Sequence, residues 1–168
     1  MSDIVSIPAS AFPRDTDGFL SRECPACEGR FKVKVDDQAE DRPDVSKEEM
    51  LAEADAMRRY CPLCHQLVEG NQWWTPEQLE FATDAIGAAV QLEFQRVLRE
   101  TAQNSNGVLE FQGGPPPAIP SPPEESDDMA LVTLPCHEED PLKVPEGWTQ
   151  EVACHVCGFR YPVDVVRL

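Results

Sequence analysis

The arrangement of the seven cysteines constrains the fold of this 168-residue chain more than any other feature. Six of them form the pairs Cys24–Cys27, Cys61–Cys64 and Cys154–Cys157, and Cys136 stands apart. A Cys-x2-Cys turn directs both sulfurs at one point, and two such turns supply the four soft ligands of a tetrahedral ion. The first two pairs therefore predict a four-cysteine zinc site. A redox role would need one pair on a βαβ scaffold, which the sequence does not indicate.

The third pair lacks a partner pair, so Cys136 and one further ligand have to complete a second site. The candidates for the fourth ligand are His137, His155 and a water molecule. His155 lies inside the Cys-x2-Cys turn, where its side chain would normally point away from the metal. His137 follows Cys136 directly, and neighbouring strand residues face opposite sides, so both can bind only where the chain bends. Pro135 favours such a bend, and we predict His137 as the ligand.

The net charge of −17 limits the classes of partner that the chain can bind. It argues against broad binding to phosphates, which needs a basic surface, and it favours basic or apolar partners. One basic cluster remains as a candidate nucleic-acid footprint. It comprises Arg22, Arg30, Lys32 and Lys34, with Arg58 and Arg59 nearby. The alternative interpretation is a solvated strand face, because Lys32 and Lys34 alternate with Phe31, Val33 and Val35.

A long helix is predicted over residues 75–102. Thr75 is suited to the N-cap, Pro76 to the first helical position, and Gln78 completes a capping box. Apolar residues form two stripes on nearly opposite sides of this helix. The first is Leu79, Ala82, Ile86, Val90, Phe94 and Val97, and the second is Phe81, Ala85, Ala88 and Leu92. A helix with so much apolar surface buries more than one face, so we expect a protein partner or a second copy of the chain to cover one of them.

The remaining segments complete a small zinc-stabilised α+β fold, with two zinc ribbons of short antiparallel hairpins joined by the helix and a linker. We expect an N-terminal arm over 1–20, a first ribbon with an acidic insertion over 21–74, and a C-terminal ribbon over 129–168. Residues 103–128, rich in proline and acid, read as a flexible linker. Ser46 and Glu49 favour a short helix over 47–58, with a solvated insertion as the alternative.

The segments "ECPACEGRF", "YCPLCHQ" and "ACHVCG" resemble the zinc knuckles of zinc-ribbon proteins. The C-terminal segment from "PCHEE" to "VACHVCGFRYP" is similar to segments of uncharacterised bacterial proteins that carry paired zinc ribbons. The resemblance implies two bound Zn2+ ions. The glycine that usually follows the second cysteine is present as Gly158, but Glu28 and His65 replace it in the first ribbon. We expect Gly29 to take over the first turn and His65 to stay outside the ligand set.

These features predict a non-enzymatic zinc-binding adaptor or scaffold that connects proteins in a larger assembly. Trp73 and Trp74 are candidate interface anchors, although both could instead pack beneath the first ribbon. One alternative is a nucleic-acid- or polymerase-binding regulator that uses Arg30, Lys32 and Lys34. A less favoured alternative is a zinc hydrolase, which needs a water in place of His137. The N-terminal sequence shows no secretory signal, and we expect a cytoplasmic protein without membrane contact.

Overall fold

A computed structural model describes residues 11–34, 58–69, 72–105 and 107–166 of the chain. In this part of the chain the fold is α+β, with antiparallel hairpins, one main helix and one short helix. The strands are β1 Phe19–Glu23, β2 Arg30–Lys34, β3 Arg58–Tyr60, β4 Leu67–Glu69, β5 Met129–Leu134, β6 His137–Pro145, β7 Val152–Ala153 and β8 Arg160–Tyr161. The helices are α1 Pro76–Asn104 and α2 Val163–Val166. The helix predicted over 47–58 lies outside the described residues, except that residue 58 begins β3.

The strands that flank the first Cys-x2-Cys turn and those that flank the Cys136–His137 turn join into a single sheet. Its order is β1-β2-β6-β5, and every neighbouring pair is antiparallel. The central pairing places Lys32 opposite Lys143 and Val33 opposite Leu142. Two smaller hairpins, β3–β4 and β7–β8, carry the other two turns. The two ribbons predicted from the sequence therefore share a sheet, which the sequence analysis did not anticipate.

One hydrophobic core serves both cysteine-rich segments. It contains Phe31 and Val68 from the N-terminal half together with Leu142 and Val152 from the C-terminal half, all of them buried. Because the core is shared, the two halves stabilise each other through burial of apolar surface and not only through their own metal ligands.

A buried ion cluster covers the central strand pair. The side chains of Lys32 and Lys143 are 1% and 3% exposed, and both donate to Oδ2 of Asp15, whose side chain is fully buried. Burial alone would raise the pKa of Asp15, but hydrogen bonds from Lys143 and from the Phe19 N–H outweigh it, so that its pKa is lowered. Opposite charges in contact are what permits three ionised groups in the interior.

The ion cluster also corrects two predictions. The alternation in β2 was expected to leave Lys32 on a solvated face, but Lys32 is buried because Asp15 and Glu125 lie over that face. The segment expected to be a flexible linker is held at its end, since Lys32 Nζ donates to the carbonyl of Ser126 and Lys143 Nζ donates to Asp127 at 3.0 Å. The C-terminal end of segment 103–128 is therefore held in place by hydrogen bonds to buried charged groups.

Helix α1 begins with the predicted capping box. The Thr75 hydroxyl accepts from the Gln78 N–H, and the Gln78 side chain accepts from the Thr75 N–H, which satisfies two donors of the first turn. Gln78 is buried, and its Nε2 donates to the carbonyl of Ser21 on β1 at 3.0 Å. The first turn of α1 is thereby fixed to the sheet.

The last described segment changes from a strand to a helix. Strand β8 stops at Tyr161, and Val163–Val166 form the short helix α2. Pro162 explains the change, because proline lacks the N–H that a strand pairing would use and is well suited to begin a helix. Val166 is buried and packs into the shared core.

Candidate metal centres

The three Cys-x2-Cys turns share one backbone hydrogen-bond pattern. In each, the carbonyl of the first cysteine accepts from the N–H four residues later, at 2.7 Å for Cys24, 3.0 Å for Cys61 and 2.8 Å for Cys154. The N–H of the same cysteine donates to the carbonyl five residues later. This double closure folds each turn tightly and brings both of its sulfurs to one side. Three turns of the same design follow from the same spacing in the sequence.

The residue after the second cysteine adopts a left-handed conformation in all three turns. The φ angles are 57° for Glu28, 66° for His65 and 75° for Gly158. The expectation that Gly29 takes over the first turn is wrong, because Glu28 itself adopts the positive φ. Gly29 is required for a different reason: an added Cβ would lie 2.7 Å from Leu63 Cδ1 and 3.1 Å from Cys27 Sγ. A larger residue would therefore press on the cluster.

The first candidate centre consists of Cys24, Cys27, Cys61 and Cys64, whose sulfurs all lie within 4.8 Å of one another. The Sγ atoms of Cys24 and Cys64 are 3.7 Å apart, and those of Cys27 and Cys61 are 3.9 Å apart. Sulfurs at about 2.3 Å from a tetrahedral ion lie about 3.8 Å from one another. The four thiols therefore have the spacing of a tetrahedral set and could hold one metal ion.

The second candidate centre consists of Cys136, His137, Cys154 and Cys157. Nδ1 of His137 lies 3.3 Å from the Cys154 sulfur, and the sulfurs of Cys136 and Cys157 are 3.6 Å apart. A tetrahedral ion lies about 2.3 Å from a sulfur and 2.0–2.1 Å from a nitrogen ligand, which places the nitrogen and the sulfur about 3.5 Å apart. The structure thus brings His137 into the group, while His155 lies outside it.

The chain bends where Cys136 and His137 adjoin. Pro135 and Cys136 form the tight turn between β5 and β6, and the pairing is irregular just before it, between Val132 and Leu134. Because Cys136 is in the turn and His137 begins the next strand, their side chains are not forced to opposite faces. This hairpin turn supplies the two candidate ligands that the first centre obtains from its second Cys-x2-Cys turn.

Burial acts on the pKa values of several thiols in the two groups. Burial raises the pKa of Cys27 to about 11 and that of Cys154 to about 12, and it also raises the pKa of Cys61. Burial acts the same way on Cys64, but hydrogen bonds from the Gln66 N–H and the other thiols outweigh it and lower its pKa. Several thiolates in one buried place are costly unless a metal ion compensates their charge.

The two candidate centres are joined through their turns. The N–H of Tyr60 donates to the carbonyl of His155 at 2.9 Å, and the N–H of Ala153 donates to the carbonyl of Pro62 at 3.0 Å. The ring of Tyr60 lies against Gly158, where an added Cβ would approach it to 2.8 Å. The turn of the first centre and the turn of the second therefore form one packed unit.

Two histidines, His65 and His155, lie outside the two candidate groups and take part in packing between the halves of the chain. Nε2 of His65 lies 3.5 Å from the carbonyl of Glu151, a further contact between the two halves of the chain. Nδ1 of His155 is buried and has no hydrogen-bond partner among the described residues. Burial lowers the pKa of His155 to about 4, so the ring is neutral at pH 7.

A third group of possible ligands surrounds a lysine. Carboxylates of Asp15, Asp17 and Asp127 lie close enough together to hold a cation. The ammonium of Lys143 lies 2.8, 2.6 and 3.0 Å from their oxygens. The ammonium group of Lys143 thus supplies the positive charge among these three carboxylates.

The candidate anchors and basic residues lie mostly in internal contacts. Trp73 is 5% exposed and meets the Phe31 ring edge to face, so it does not present a surface anchor. Trp74 is half-buried, with Phe12 at 4.9 Å between ring centroids and the Arg22 guanidinium over its ring.

The predicted basic contact residue Arg30 is paired with Glu23 and Glu77. Three basic contact residues were predicted: Arg30, Lys32 and Lys34. Among the described ion pairs, Arg30 and Lys32 take part and Lys34, which is exposed, does not.

The first apolar stripe of α1 is exposed along its length. Leu79, Ile86, Val90, Phe94 and Val97 are 52%, 38%, 54%, 61% and 44% exposed. The second stripe is covered in its N-terminal part: Phe81 and Ala85 are half-buried and Ala88 is buried, with the Phe81 ring against that of Phe12. Its last member, Leu92, is 39% exposed. Only the N-terminal part of the second stripe therefore faces the rest of the chain, and the first stripe faces away from it.

Several residues of the site were not found from the sequence. Tyr60 and Tyr161 carry no motif; the latter forms a hydrogen bond with Cys136 that raises the pKa of Tyr161 to about 12. The contact of Asp15 with Lys143 joins residues 128 positions apart, and no local motif indicates it. Lys143 leaves no such signal either, because a lysine between Leu142 and Val144 in a strand more often marks a solvated face.

Comparison with known proteins adds no relative: no protein-family model, curated protein or solved structure matches the chain. The two cysteine-rich groups are consistent with zinc-ribbon-like units, and this rests on their geometry alone. Within the described ranges, no helix is long and apolar enough to cross a membrane.

Proposed function

We propose that the chain is a zinc-stabilised protein-interaction module in which two structural Zn2+ ions hold a small body and helix α1 presents the binding surface. The observation that carries this proposal is the exposed first stripe of α1, continuous over the helix and formed by side chains that are ordinarily buried. A rigid body with one long apolar face is suited to connecting proteins, and we assign the chain an adaptor role in a larger assembly.

The ligand sets support zinc as the metal. Four thiolates suit both zinc and iron, but three thiolates with one imidazole nitrogen form a set that zinc commonly takes in structural sites. The spacing of 3.6–3.9 Å between the paired sulfurs fits one tetrahedral ion in each centre.

We propose that neither centre is catalytic. Each group offers four protein ligands, which fills a tetrahedral ion and leaves no position for a substrate or an activated water. The nucleic-acid alternative gains no support from the basic residues, because Lys32 is buried and Arg30 is paired with two carboxylates. A protein partner is favoured instead.

The proposal is tested by placing charge on the stripe without disturbing the body. In the variant Val90→Glu with Phe94→Glu, we expect unchanged metal content and helicity but loss of the proteins that the wild type retains in affinity purification. The matched control, Gln103→Glu with Gln150→Glu, adds the same charge at exposed positions outside the stripe and its borders, and it should retain them. Identical sets of bound proteins for wild type and stripe variant would contradict the proposal.

A further inference from the structure

The exposed stripe of α1 has acidic borders. The exposed surface contains the residues of the first stripe except Ala82, which is half-buried, and it extends to two threonines. Its seven positions, all exposed, are Leu79, Thr83, Ile86, Val90, Phe94, Val97 and Thr101. At 100° per residue, Glu80 and Asp84 lie along one border and Glu93 and Glu100 along the other. Arg96 lies on the second border, as far from the centre of the stripe as Asp84 is on the first, and it is paired with Glu93 and Glu100. The second border therefore keeps one net negative charge, and Arg99 is on the opposite side of the helix. The stripe itself carries no charge.

The geometry of the stripe suits a helix as its occupant. Leu79, Val90 and Thr101 follow at intervals of eleven residues, so the stripe stays parallel to the helix axis and does not wind around it. Its length is about 33 Å at 1.5 Å per residue. A straight, narrow apolar strip of this length matches the apolar face of another helix, which is a common mode of recognition.

The charges select the kind of helix. We propose that the first stripe of α1 binds an amphipathic helix of another protein whose apolar face is bordered by lysine and arginine. Such a helix would place cations beside Glu80 and Asp84 on one border and beside Glu93 and Glu100 on the other. Complementary borders give specificity and speed association, whereas like charges in this position are costly.

A second copy of the chain is a poorer occupant. Two α1 helices packed through this stripe would bring their acidic borders together, and each chain carries a net charge of −17. Repulsion of this kind opposes self-association and favours a partner of opposite charge. The inference rests on the proposed function, because it assigns the partner of the same surface.

The test uses two synthetic helical peptides of about 24 residues, long enough to span the stripe. Both carry a leucine stripe; one has lysine at every border position and the other has glutamate. Binding to the full, metal-loaded chain is measured by fluorescence anisotropy at about 0.15 M salt. We expect the lysine peptide to bind at least about tenfold more tightly than the glutamate peptide.

Charge reversal on the helix supplies the decisive comparison. The variant with Glu80, Asp84, Glu93 and Glu100 all changed to lysine should prefer the glutamate peptide. The control variant changes the exposed residues Glu69, Glu124, Glu146 and Glu151 to lysine, which alters the net charge equally, and it should keep the preference of the wild type. Metal content and helicity of both variants are checked first.

The outcomes separate the inference from the function on which it rests. An equal loss of preference in the control variant would mean that only the overall charge attracts the peptide, and the inference would fail. A dimer of the wild type that Val90→Glu disperses would make a second copy the occupant and would also overturn it. Stripe-dependent protein binding without any effect of the border charges would leave the proposed function standing and remove the inference.

Discussion

Lys32 on β2 and Lys143 on β6 stand directly opposite each other and donate to the same oxygen of Asp15, at 3.3 and 2.8 Å. One carboxylate thereby ties the N-terminal arm to the two strands through which the halves of the chain meet. The pairing of β2 with β6 and the burial of these three charges depend on each other, because separated strands would leave each lysine without its partner.

The variant Asp15→Asn tests this dependence. The amide keeps an oxygen for the Phe19 N–H but loses the charge that two buried ammonium groups require. We expect a loss of about 3–5 kcal/mol in the free energy of unfolding, measured by urea denaturation with zinc in excess. The pKa of Asp15 lies below its ordinary value of 3.8, so its contribution is complete at pH 7 and would decline only as the pH falls below 3.8.

Asp17→Asn is the matched control. Asp17 also contacts Lys143, but its side chain is 61% exposed, so we expect a loss of no more than about 1 kcal/mol. A similar small loss in both variants would show that the buried cluster is not needed to hold the arm on the sheet.

Gly158→Ala tests the contact between the two metal-binding turns. The new Cβ would combine a positive φ of 75° with an approach of 2.8 Å to the Tyr60 ring. Gly147 has nearly the same φ, 79°, but open space around it, so Gly147→Ala measures the backbone cost alone, about 1–2 kcal/mol. Gly158→Ala should cost about 1–3 kcal/mol more in thermal or urea unfolding. Equal costs would mean that the turns are not packed as described.

The two centres should also affect each other's metal affinity. Cys27→Ser removes a ligand of the first centre, and the hydrogen bonds from Tyr60 and Ala153 transmit the resulting loosening to the turn of the second. We expect the second centre to lose affinity by about fivefold or more, measured by competition with a chelator. Cys157→Ser should in turn weaken the first centre, because coupling between two binding sites acts in both directions. Affinities that stay independent in both directions would contradict the shared unit.

The cysteine groups and the helix could be predicted from local sequence. Spacing alone defines a Cys-x2-Cys turn, and Thr75 with Gln78 defines the start of α1, because both depend on residues only a few positions apart. His137 was predicted from the bend at Pro135, again a local argument.

The pairing of the two halves could not be predicted in this way. Alternation in β2 indicated which residues share a face, but not that Asp15 and Glu125 would cover the face of Lys32. The positive φ of Glu28 also escaped prediction, since a tight turn around two ligands can hold a residue other than glycine there. Contacts between residues a hundred positions apart leave little trace in a single sequence.

The most direct test of the account is the metal content per chain, measured by elemental analysis on the wild type, His137→Ala and His155→Ala. The account predicts two zinc ions in the wild type and in His155→Ala, with one ion lost or weakly held in His137→Ala. Two tightly held ions in His137→Ala, or fewer than two in the wild type, would contradict it.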